Sequence, residues 1–231
     1  MPDHDAAAPA RSGIDRRALA ARIDHTLLRP EATVAEVLDQ AAIAVSTGCA
    51  SVCVQPAMVA AVVGAVGDRI PVCSVVGFPH GASLSRSKAD EAAAVVALGA
   101  AEVDVVADLG ALADGDLAAV AADVAAVREA VPNVVLKVIL ESALWSPAVL
   151  RQACEAVVGA GADYVKTSTG FHPAGGASVD AVAVMRDAVG DRARVKASGG
   201  IRNTAAALAA IDAGADRLGL SATVAVLDGL A

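Results

Sequence analysis

Lysine is the residue type of this chain that is best placed for covalent chemistry. The 18 basic residues comprise fourteen arginines and four lysines, which are Lys88, Lys137, Lys166 and Lys196. A lysine amine becomes a nucleophile once it loses its proton, whereas an arginine guanidinium stays protonated in proteins. Three of the four lysines fall in short apolar segments that predict β-strands, where a solvated cation is out of place. This skew predicts an amine-based active site.

Two of these lysines are predicted to lie side by side. Tyr164, Lys166 and Ser168 share one face of the segment "DYVKTST", and Lys196 and Ser198 share one face of "RVKASG". The two segments are the sixth and seventh predicted strands, and neighbouring strands lie about 4.8 Å apart. Burial and a nearby cation both favour a neutral amine, so Lys166 is predicted to attack a carbonyl as a Schiff-base nucleophile.

A carboxylate is predicted beside the two amines. Asp104 lies between valines in "AEVDVVAD", with Glu102 on the same face. It can pair with one amine and relay protons, which supplies the acid–base group of a Schiff-base site. Lys137, in "VVLKVILE", either takes part in the chemistry or forms a buried ion pair with Glu141, on its own face, or with Asp104. A buried charge network without catalysis is the alternative for the whole set.

Short apolar runs and longer alanine-rich runs alternate along the chain. The apolar runs predict strands at 22–28, 50–55, 71–78, 101–108, 134–141, 163–169, 194–199 and 216–221. The longer runs, with a period near 3.6 residues, predict helices at 33–46, 84–98, 115–130, 147–159, 177–189 and 203–213. Eight such units without a linker predict an α/β fold, a single (β/α)8 TIM barrel with a short N-terminal helix. A doubly wound sheet is the alternative, but its Gly-x-Gly-x-x-Gly fingerprint is absent after the first strand.

Composition limits the classes of partner. The chain has 231 residues, of which 56% are hydrophobic, and a net charge of −8. An acidic surface argues against nucleic acid or an anionic membrane as a partner, but not against a small phosphorylated ligand. Residues 1–13 have no apolar segment and are predicted to be a disordered tail, neither a signal peptide nor a membrane anchor. We therefore expect one barrel domain over 14–231, without a transmembrane helix, in the cytoplasm.

The cysteines and histidines do not predict a metal site. Cys49, Cys53, Cys73 and Cys154 lack the spacing of zinc ligands and are expected to be reduced, buried small side chains. His25, His80 and His172 fall on different loops without paired spacing. We interpret them as supporting or surface groups rather than ligands. No metal or organic cofactor is predicted.

Glycine-rich loops follow the last three predicted strands. They are "TGFHPAGGAS" at 169–178, "SGGIRN" at 198–203 and "GLSATV" at 219–224. Backbone N–H groups in such turns bind phosphate, and the loops after strands seven and eight are the usual phosphate site of this barrel. Together the loops favour a phosphorylated substrate.

The segments "DHTLLRPEAT", "SVCVQP", "VVGFPHG", "EVDVV", "LKVILE", "DYVKTSTGF", "VKASGGIR" and "GLSATV" resemble the deoxyribose-phosphate aldolase family. The resemblance runs from Ile23 to Leu227. It implies a class I, metal-independent lyase that cleaves 2-deoxy-D-ribose 5-phosphate to D-glyceraldehyde 3-phosphate and acetaldehyde, in deoxyribose phosphate catabolism. A homodimer is the assembly expected from the family.

The resemblance also implies roles for individual residues. Lys166 is the Schiff-base lysine, and Asp104 and Lys196 are proton donors and acceptors. The substrate-binding residues it implies are Asp24, Thr26, Cys53, Gly170, Gly199, Gly200 and Ser221. Core packing is the favoured alternative for Cys53, and Thr167 and Thr169 are expected to be structural because they face away from Lys166.

Two positions depart from the family pattern. Asp108 stands where an Asn is expected, and Leu220 stands where the family usually has a small or polar residue beside the phosphate loop. Both leave substrate preference open.

Three other functions stay possible from the sequence. One is a class I aldolase or lyase that acts on another donor. The second is an isomerase or epimerase on a phosphate-binding barrel, and the third is a sugar-phosphate binder without turnover. The lysine pair argues against the last two.

Overall fold

In a computed structural model, which describes residues 13–230, eight parallel strands close into a barrel surrounded by helices. The strands are β1 (Ile23–Leu27), β2 (Ser51–Val54), β3 (Val72–Val76), β4 (Glu102–Val106), β5 (Val135–Ile139), β6 (Tyr164–Lys166), β7 (Arg194–Ser198) and β8 (Arg217–Leu220). Each strand pairs with the next along the chain, and β1 pairs with β8 to close the ring. The predicted barrel and its eight strands are confirmed.

Ten α-helices occur between residues 13 and 230. They are α1 (Arg16–Ala20), α2 (Val34–Thr47), α3 (Val59–Val66), α4 (Ser85–Ala97), α5 (Leu109–Ala113), α6 (Leu117–Ala130), α7 (Pro147–Gly159), α8 (Val179–Val189), α9 (Thr204–Asp212) and α10 (Thr223–Asp228). The predicted N-terminal helix and the six predicted longer helices are confirmed. Residues 1–12, most of the predicted tail, and residue 231 lie outside the described residues.

Helix α2 shows how the local sequence sets an element boundary. The Thr33 hydroxyl accepts a hydrogen bond from the Glu36 N–H at 3.3 Å, and the Glu36 carboxylate accepts one from the Thr33 N–H at 2.8 Å. This reciprocal capping box satisfies two N–H groups that would otherwise lack partners at the helix start. The helix ends at Gly48, whose φ of 72° favours glycine.

Helix α3 was missed by the sequence prediction. Its sequence, VAAVVGAV, is apolar almost all round, so it lacks the contrast between faces that marks an amphipathic helix. Val59, Val62 and Val66 are the residues that it buries. A short apolar run of this kind is not distinguished from a strand by periodicity alone.

The main hydrophobic core lies between the barrel and the helix layer, and one lysine is part of that layer. The Lys88 amine on α4 donates to Asp123 on α6 at 2.7 Å and to the Val106 carbonyl at 2.9 Å. Both side chains are almost completely buried. Lys88 therefore holds two helices to the end of β4 and lies outside the barrel interior. Among residues 13–230, no helix is long and apolar enough to cross a bilayer.

Candidate active site

Lys166 and Lys196 meet inside the barrel at the same height. They are direct partners in the register of β6 and β7. Their amines donate to the same carboxylate oxygen, Asp104 Oδ2, at 2.7 and 2.6 Å. The prediction that two inward-facing amines lie beside Asp104 is confirmed.

Asp104 is the centre of the cluster. Its other oxygen, Oδ1, accepts from the Lys137 amine at 2.8 Å and from the Cys73 thiol at 3.2 Å. Burial alone would raise the pKa of Asp104, but the charges of Lys137, Lys166 and Lys196 hold this pKa well below its usual range. Asp104 is therefore an ionised carboxylate with four donors.

Lys137 on β5 joins two carboxylates of the adjacent strand β4 and one of β1. Its amine lies 2.8 Å from Asp104, 2.5 Å from Glu102 and 3.7 Å from Asp24. Burial alone would lower the pKa of Lys137, but these carboxylates, Asp104 first, raise it well above its usual value. The predicted pair with Asp104 is confirmed, and Lys137 stays a cation.

The alternative pair between Lys137 and Glu141 is wrong. Strand β5 ends at Ile139, and Glu141 has a φ of 51°, so the side-chain alternation of the strand does not reach it. Its buried carboxylate instead accepts from the Thr169 N–H at 2.8 Å and from the Thr169 hydroxyl at 2.7 Å. Glu141 therefore ties the loop after β5 to the loop after β6, next to the active site.

Asp24 on β1 and Arg217 on β8 extend the cluster around the barrel interior. Asp24 lies 2.5 Å from both the Lys196 amine and the Arg217 guanidinium, and it accepts from the Ser51 hydroxyl at 2.7 Å. Burial alone would lower the pKa of Lys196, but Asp104 and Asp24 raise it, so Lys196 is a cation. The Arg217 guanidinium also lies 5.7 Å from the centre of the Tyr164 ring, within cation–π range.

The charges of this cluster do not balance when every group is ionised. Four cations, Lys137, Lys166, Lys196 and Arg217, face three carboxylates, Asp24, Glu102 and Asp104. Loss of one proton from an amine would make the cluster neutral. Lys166 has one carboxylate contact, to Asp104, whereas each of the other cations has at least two. Lys166 is therefore the cation of this cluster with the least negative charge in contact with it.

Lys166 also opens onto a cavity of about 300 Å³ at the carboxyl ends of the strands. Five residues that were predicted to bind substrate line this cavity, namely Thr26, Gly170, Gly199, Gly200 and Ser221. Asp24 and Cys53 do not line it: both are fully buried, Asp24 against Lys196 and Cys53 beside Cys73. The lysine with the fewest carboxylate partners is thus the one that a ligand in the cavity can reach.

Glycines bring the loops after β6 and β7 into close contact. A Cβ at Gly176 would lie 2.3 Å from the Gly199 carbonyl oxygen, and a Cβ at Gly199 would lie 2.7 Å from the Ser168 hydroxyl. Gly199 also has a φ of 87°. Within residues 13–230, the N–H groups of Gly170, Gly199 and Gly200 have no hydrogen-bond acceptor. They are free to bind an anion such as phosphate.

Two cavity arginines and one glycine were missed by the sequence analysis. Arg29 and Arg202 both line the cavity. Arg29 pairs with Glu31 and Glu36, whereas Arg202 is exposed and forms no ion pair with any residue that the structure describes. Arg202 lies in "SGGIR" and Gly176 in "HPAGGAS", so an arginine next to a glycine loop was the available signal for a phosphate contact.

The other residues that the sequence analysis singled out are Thr167, Asp108 and Leu220. Thr167 bridges β6 and β7, since its hydroxyl donates to the Ser198 carbonyl at 3.1 Å and accepts from the Ser198 N–H at 2.9 Å. Asp108 caps α5 by accepting from the Ala111 N–H at 3.0 Å, which an Asn could also do. Leu220 lines the cavity with a nearly buried side chain.

The histidines are separate from the amines. His25 is buried, with Nδ1 2.7 Å from the Thr223 hydroxyl and Nε2 2.7 Å from Gln40 Oε1. His80 and His172 line a larger cavity of about 770 Å³ beside the site. No lysine lines that larger cavity, although it shares Thr169 and Phe171 with the smaller one. The lysine of the cluster that meets a cavity therefore meets the smaller one.

A family model and two curated relatives show the family to which this chain belongs. Residues 12–227 match the model of the DeoC/LacD family aldolase. The chain is 59% identical to the deoxyribose-phosphate aldolase of Mycolicibacterium paratuberculosis over 219 residues, which is 93% of this chain and 98% of the relative. It is 54% identical to that of Mycobacterium tuberculosis, covering 93% of this chain and 97% of the relative.

A solved structure agrees with the fold. The tetrameric deoxyribose phosphate aldolase from Aeropyrum pernix superposes with a TM-score of 0.86 at 36% identity, covering 93% of this chain and 91% of that one.

Proposed function

Because the chain belongs to the DeoC/LacD family of aldolases and is a lyase, we propose that it reversibly cleaves 2-deoxy-D-ribose 5-phosphate. The products are D-glyceraldehyde 3-phosphate and acetaldehyde, and the reaction serves deoxyribose phosphate catabolism. The observation that carries the proposal is the position of Lys166. Its amine reaches the cavity and has one carboxylate partner in a cluster with an excess positive charge.

The proposed cleavage begins at the neutral amine of Lys166. The amine attacks C1 of the open-chain sugar, and loss of water gives a protonated imine. Removal of the proton from the C3 hydroxyl then breaks the C2–C3 bond. The bonding electrons move into the imine, which leaves an enamine and releases D-glyceraldehyde 3-phosphate. Protonation of the enamine at C2 and hydrolysis release acetaldehyde and restore the amine.

Asp104 and Lys196 are the proposed proton carriers of these steps. Both lie within hydrogen-bonding distance of one another, and Asp104 also contacts Lys166, so a bound water can connect them to C2 and the C3 oxygen. The protonated imine accepts the electrons of the broken bond, so this mechanism needs no metal or organic cofactor.

The glycine loops are the proposed phosphate site. The N–H groups of Gly170, Gly199 and Gly200 and the hydroxyl of Ser221 surround one end of the cavity, and Arg202 adds a positive charge. Thr26 lines the cavity nearer the sugar. Asp24 and Cys53 shape the site from beneath, through Lys196 and Cys73. We propose a homodimer that acts in the cytoplasm.

A turnover assay with matched lysine variants tests the proposal. Purified protein is mixed with 2-deoxyribose 5-phosphate, and acetaldehyde is measured with an NADH-coupled alcohol dehydrogenase. We expect turnover in the parent, and at least about a thousandfold lower kcat in Lys166→Arg, because an arginine forms no imine. Lys88→Arg, on the outer helix layer, is the control and should keep parental kcat. Parental turnover in Lys166→Arg would overturn the proposal.

The same assay separates the other functions. A class I aldolase for another donor would be inactive on this sugar but active with a different carbonyl compound. An isomerase would consume the sugar phosphate without releasing acetaldehyde. A sugar-phosphate binder would be stabilised by the ligand and release nothing.

A further inference from the structure

Two cysteines lie side by side within the barrel, and the mechanism does not use their sulfur chemistry. Cys53 on β2 and Cys73 on β3 are direct partners in the parallel register, and both are fully buried. Their Sγ atoms and a carboxylate oxygen of Asp104 all lie within 4.8 Å of one another. We propose that Cys53 and Cys73 are a modification site for peroxides, which convert the pair to a disulfide and thereby inactivate the neighbouring Lys166 site.

The backbone geometry permits this bond. Paired residues of neighbouring strands have backbones about 4.8 Å apart, within the Cα–Cα range of about 4.4–6.8 Å that disulfides span. Both side chains lie on the inner face, where they pack with Leu28 and Val75. The other two cysteines have different surroundings: Cys49 contacts the Thr47 hydroxyl, and Cys154 lies on α7.

The two thiols have different acidities. A side-chain hydrogen bond with Cys73 lowers the pKa of Cys53, with further help from the charges of Lys196 and Lys166, against burial and the charge of Asp104. Burial raises the pKa of Cys73 well above its usual value. Cys53 is therefore the sulfur that reacts first, because the thiolate is the reactive form.

Hydrogen peroxide supplies the oxidant, and two steps complete the reaction. The Cys53 thiolate attacks one peroxide oxygen, the O–O bond breaks, and the leaving hydroxide takes a proton to become water. This step oxidises Cys53 to a sulfenic acid. The Cys73 sulfur then attacks the sulfur of Cys53, the S–O bond breaks, and the departing hydroxide takes the Cys73 proton. Two thiols and one peroxide thus give one disulfide and two waters.

The pair is next to the substrate cavity. Leu28 lines that cavity and belongs to the same packed group as Cys53 and Cys73. A molecule as small as hydrogen peroxide therefore has one side-chain layer to pass. A sugar phosphate that occupies the cavity should slow the oxidation.

The disulfide changes the hydrogen bonding of the catalytic carboxylate. The Cys73 thiol donates to Asp104 Oδ1 at 3.2 Å, and the Lys137 amine lies 3.4 Å from the same sulfur. Oxidation removes that donor and draws the sulfur toward Cys53. Asp104 then loses one of its four hydrogen-bond donors. Its carboxylate, which contacts the amines of both Lys166 and Lys196, is displaced as a result.

The test measures the bond and the activity separately. The protein is treated with hydrogen peroxide, free thiols are blocked, and peptides are mapped without reduction. We expect a linked Cys53–Cys73 peptide and a parallel loss of aldol cleavage by about tenfold or more, which is the scale expected when catalytic groups are misplaced. Dithiothreitol should restore the activity, and 2-deoxyribose 5-phosphate should slow both changes.

Serine variants identify the site. Cys53→Ser and Cys73→Ser keep a hydrogen-bonding group but form no disulfide, so each should retain its own untreated activity after peroxide. Cys49→Ser and Cys154→Ser are the matched controls and should remain as sensitive as the parent. The activity readout relies on the proposed aldolase function, whereas the peptide map does not, so the two can fail independently.

Three results would overturn the inference. One is the accumulation of a Cys53 sulfinic acid while Cys73 stays a free thiol. Another is complete formation of the disulfide without loss of activity. The third is equal loss of activity in all four serine variants, because the oxidation would then act elsewhere.

Discussion

Lys166 differs from the other lysines of the barrel in how little negative charge surrounds it. Among residues 13–230, Lys137 contacts three carboxylates and Lys196 contacts two, whereas Lys166 contacts Asp104 alone. With four cations and three carboxylates, the cluster has room for one neutral amine. This local count of charges, more than burial, explains how one of three similar lysines can be the nucleophile.

The count predicts the effect of removing Lys137. Lys137→Met leaves three cations with three carboxylates, which removes the excess positive charge of the cluster. The pH at which imine formation is half-maximal should rise by roughly one unit or more. Borohydride trapping with acetaldehyde across a pH series measures this midpoint.

A second variant separates the effect of the charge count from a loss of stability. Breaking a buried ion pair costs about 3–5 kcal/mol in stability, so Lys137→Met alone is expected to be less stable. Lys137→Met combined with Glu102→Gln removes one cation and one carboxylate and restores the single excess charge. Its midpoint should return toward the parental value, and equal midpoints in all three proteins would contradict the charge count.

His25 should make stability depend on pH. Burial lowers its pKa from the ordinary 6.5, so below that pH the unfolded chain binds a proton that the folded protein resists. Its contribution to the free energy of unfolding is therefore present above pH 6.5 and is lost as the pH falls toward the lower folded value. Urea unfolding at several pH values measures the slope, which should be shallower in His25→Asn than in the parent. The exposed-site control His80→Asn should keep the parental slope, and an unchanged slope in His25→Asn would refute this role.

At the scale of elements, side-chain alternation predicts a site only as far as the strand extends. It placed Lys166, Lys196 and Asp104 on inner faces because these residues lie within β6, β7 and β4. It failed for Glu141, two residues beyond β5, where the backbone takes a left-handed conformation. A non-glycine residue with positive φ has no reliable signal in a single sequence.

The contact between the loops after β6 and β7 gives a prediction for Gly176. A Cβ at Gly176 would overlap with the Gly199 carbonyl, so Gly176→Ala must push the two loops apart. We expect KM for 2-deoxyribose 5-phosphate to rise by about tenfold or more, with a smaller change in kcat, because phosphate binding is lost before the amine is moved. Steady-state kinetics measure both constants.

Gly159 offers the matched control for that variant. It is a helical residue of α7 with nothing within 4 Å of an added Cβ, so Gly159→Ala should leave KM unchanged. A parental KM in Gly176→Ala would mean that the glycine contact does not form the phosphate site.

At the scale of the whole molecule, the repeated pattern of strand and helix was sufficient to predict the barrel. Short apolar runs identified all eight strands, and apolar periodicity identified the longer helices. The helices that were missed, α3, α5 and α10, are short, or apolar on every side. The contact of Lys137 on β5 with Asp24 on β1 depends on the closed barrel, and a linear pattern does not contain it.

The barrel also explains how an acidic protein can have an anion site. The chain has a net charge of −8, yet the charged cluster within it has more cations than carboxylates. Lys166, the last residue of β6, lines the same cavity as Gly170, Gly199 and Gly200. We therefore expect the phosphate to be bound by this local arrangement rather than by the overall charge.

The most direct test of the account is to trap the imine and identify the lysine. The protein is incubated with 2-deoxyribose 5-phosphate, reduced with borohydride, digested and analysed by mass spectrometry, with Lys166→Arg treated in parallel. The account predicts a reduced adduct on Lys166 in the parent and none at Lys137 or Lys196 in either protein. An adduct on one of those two lysines, or none on Lys166 in a preparation that turns over, would contradict it.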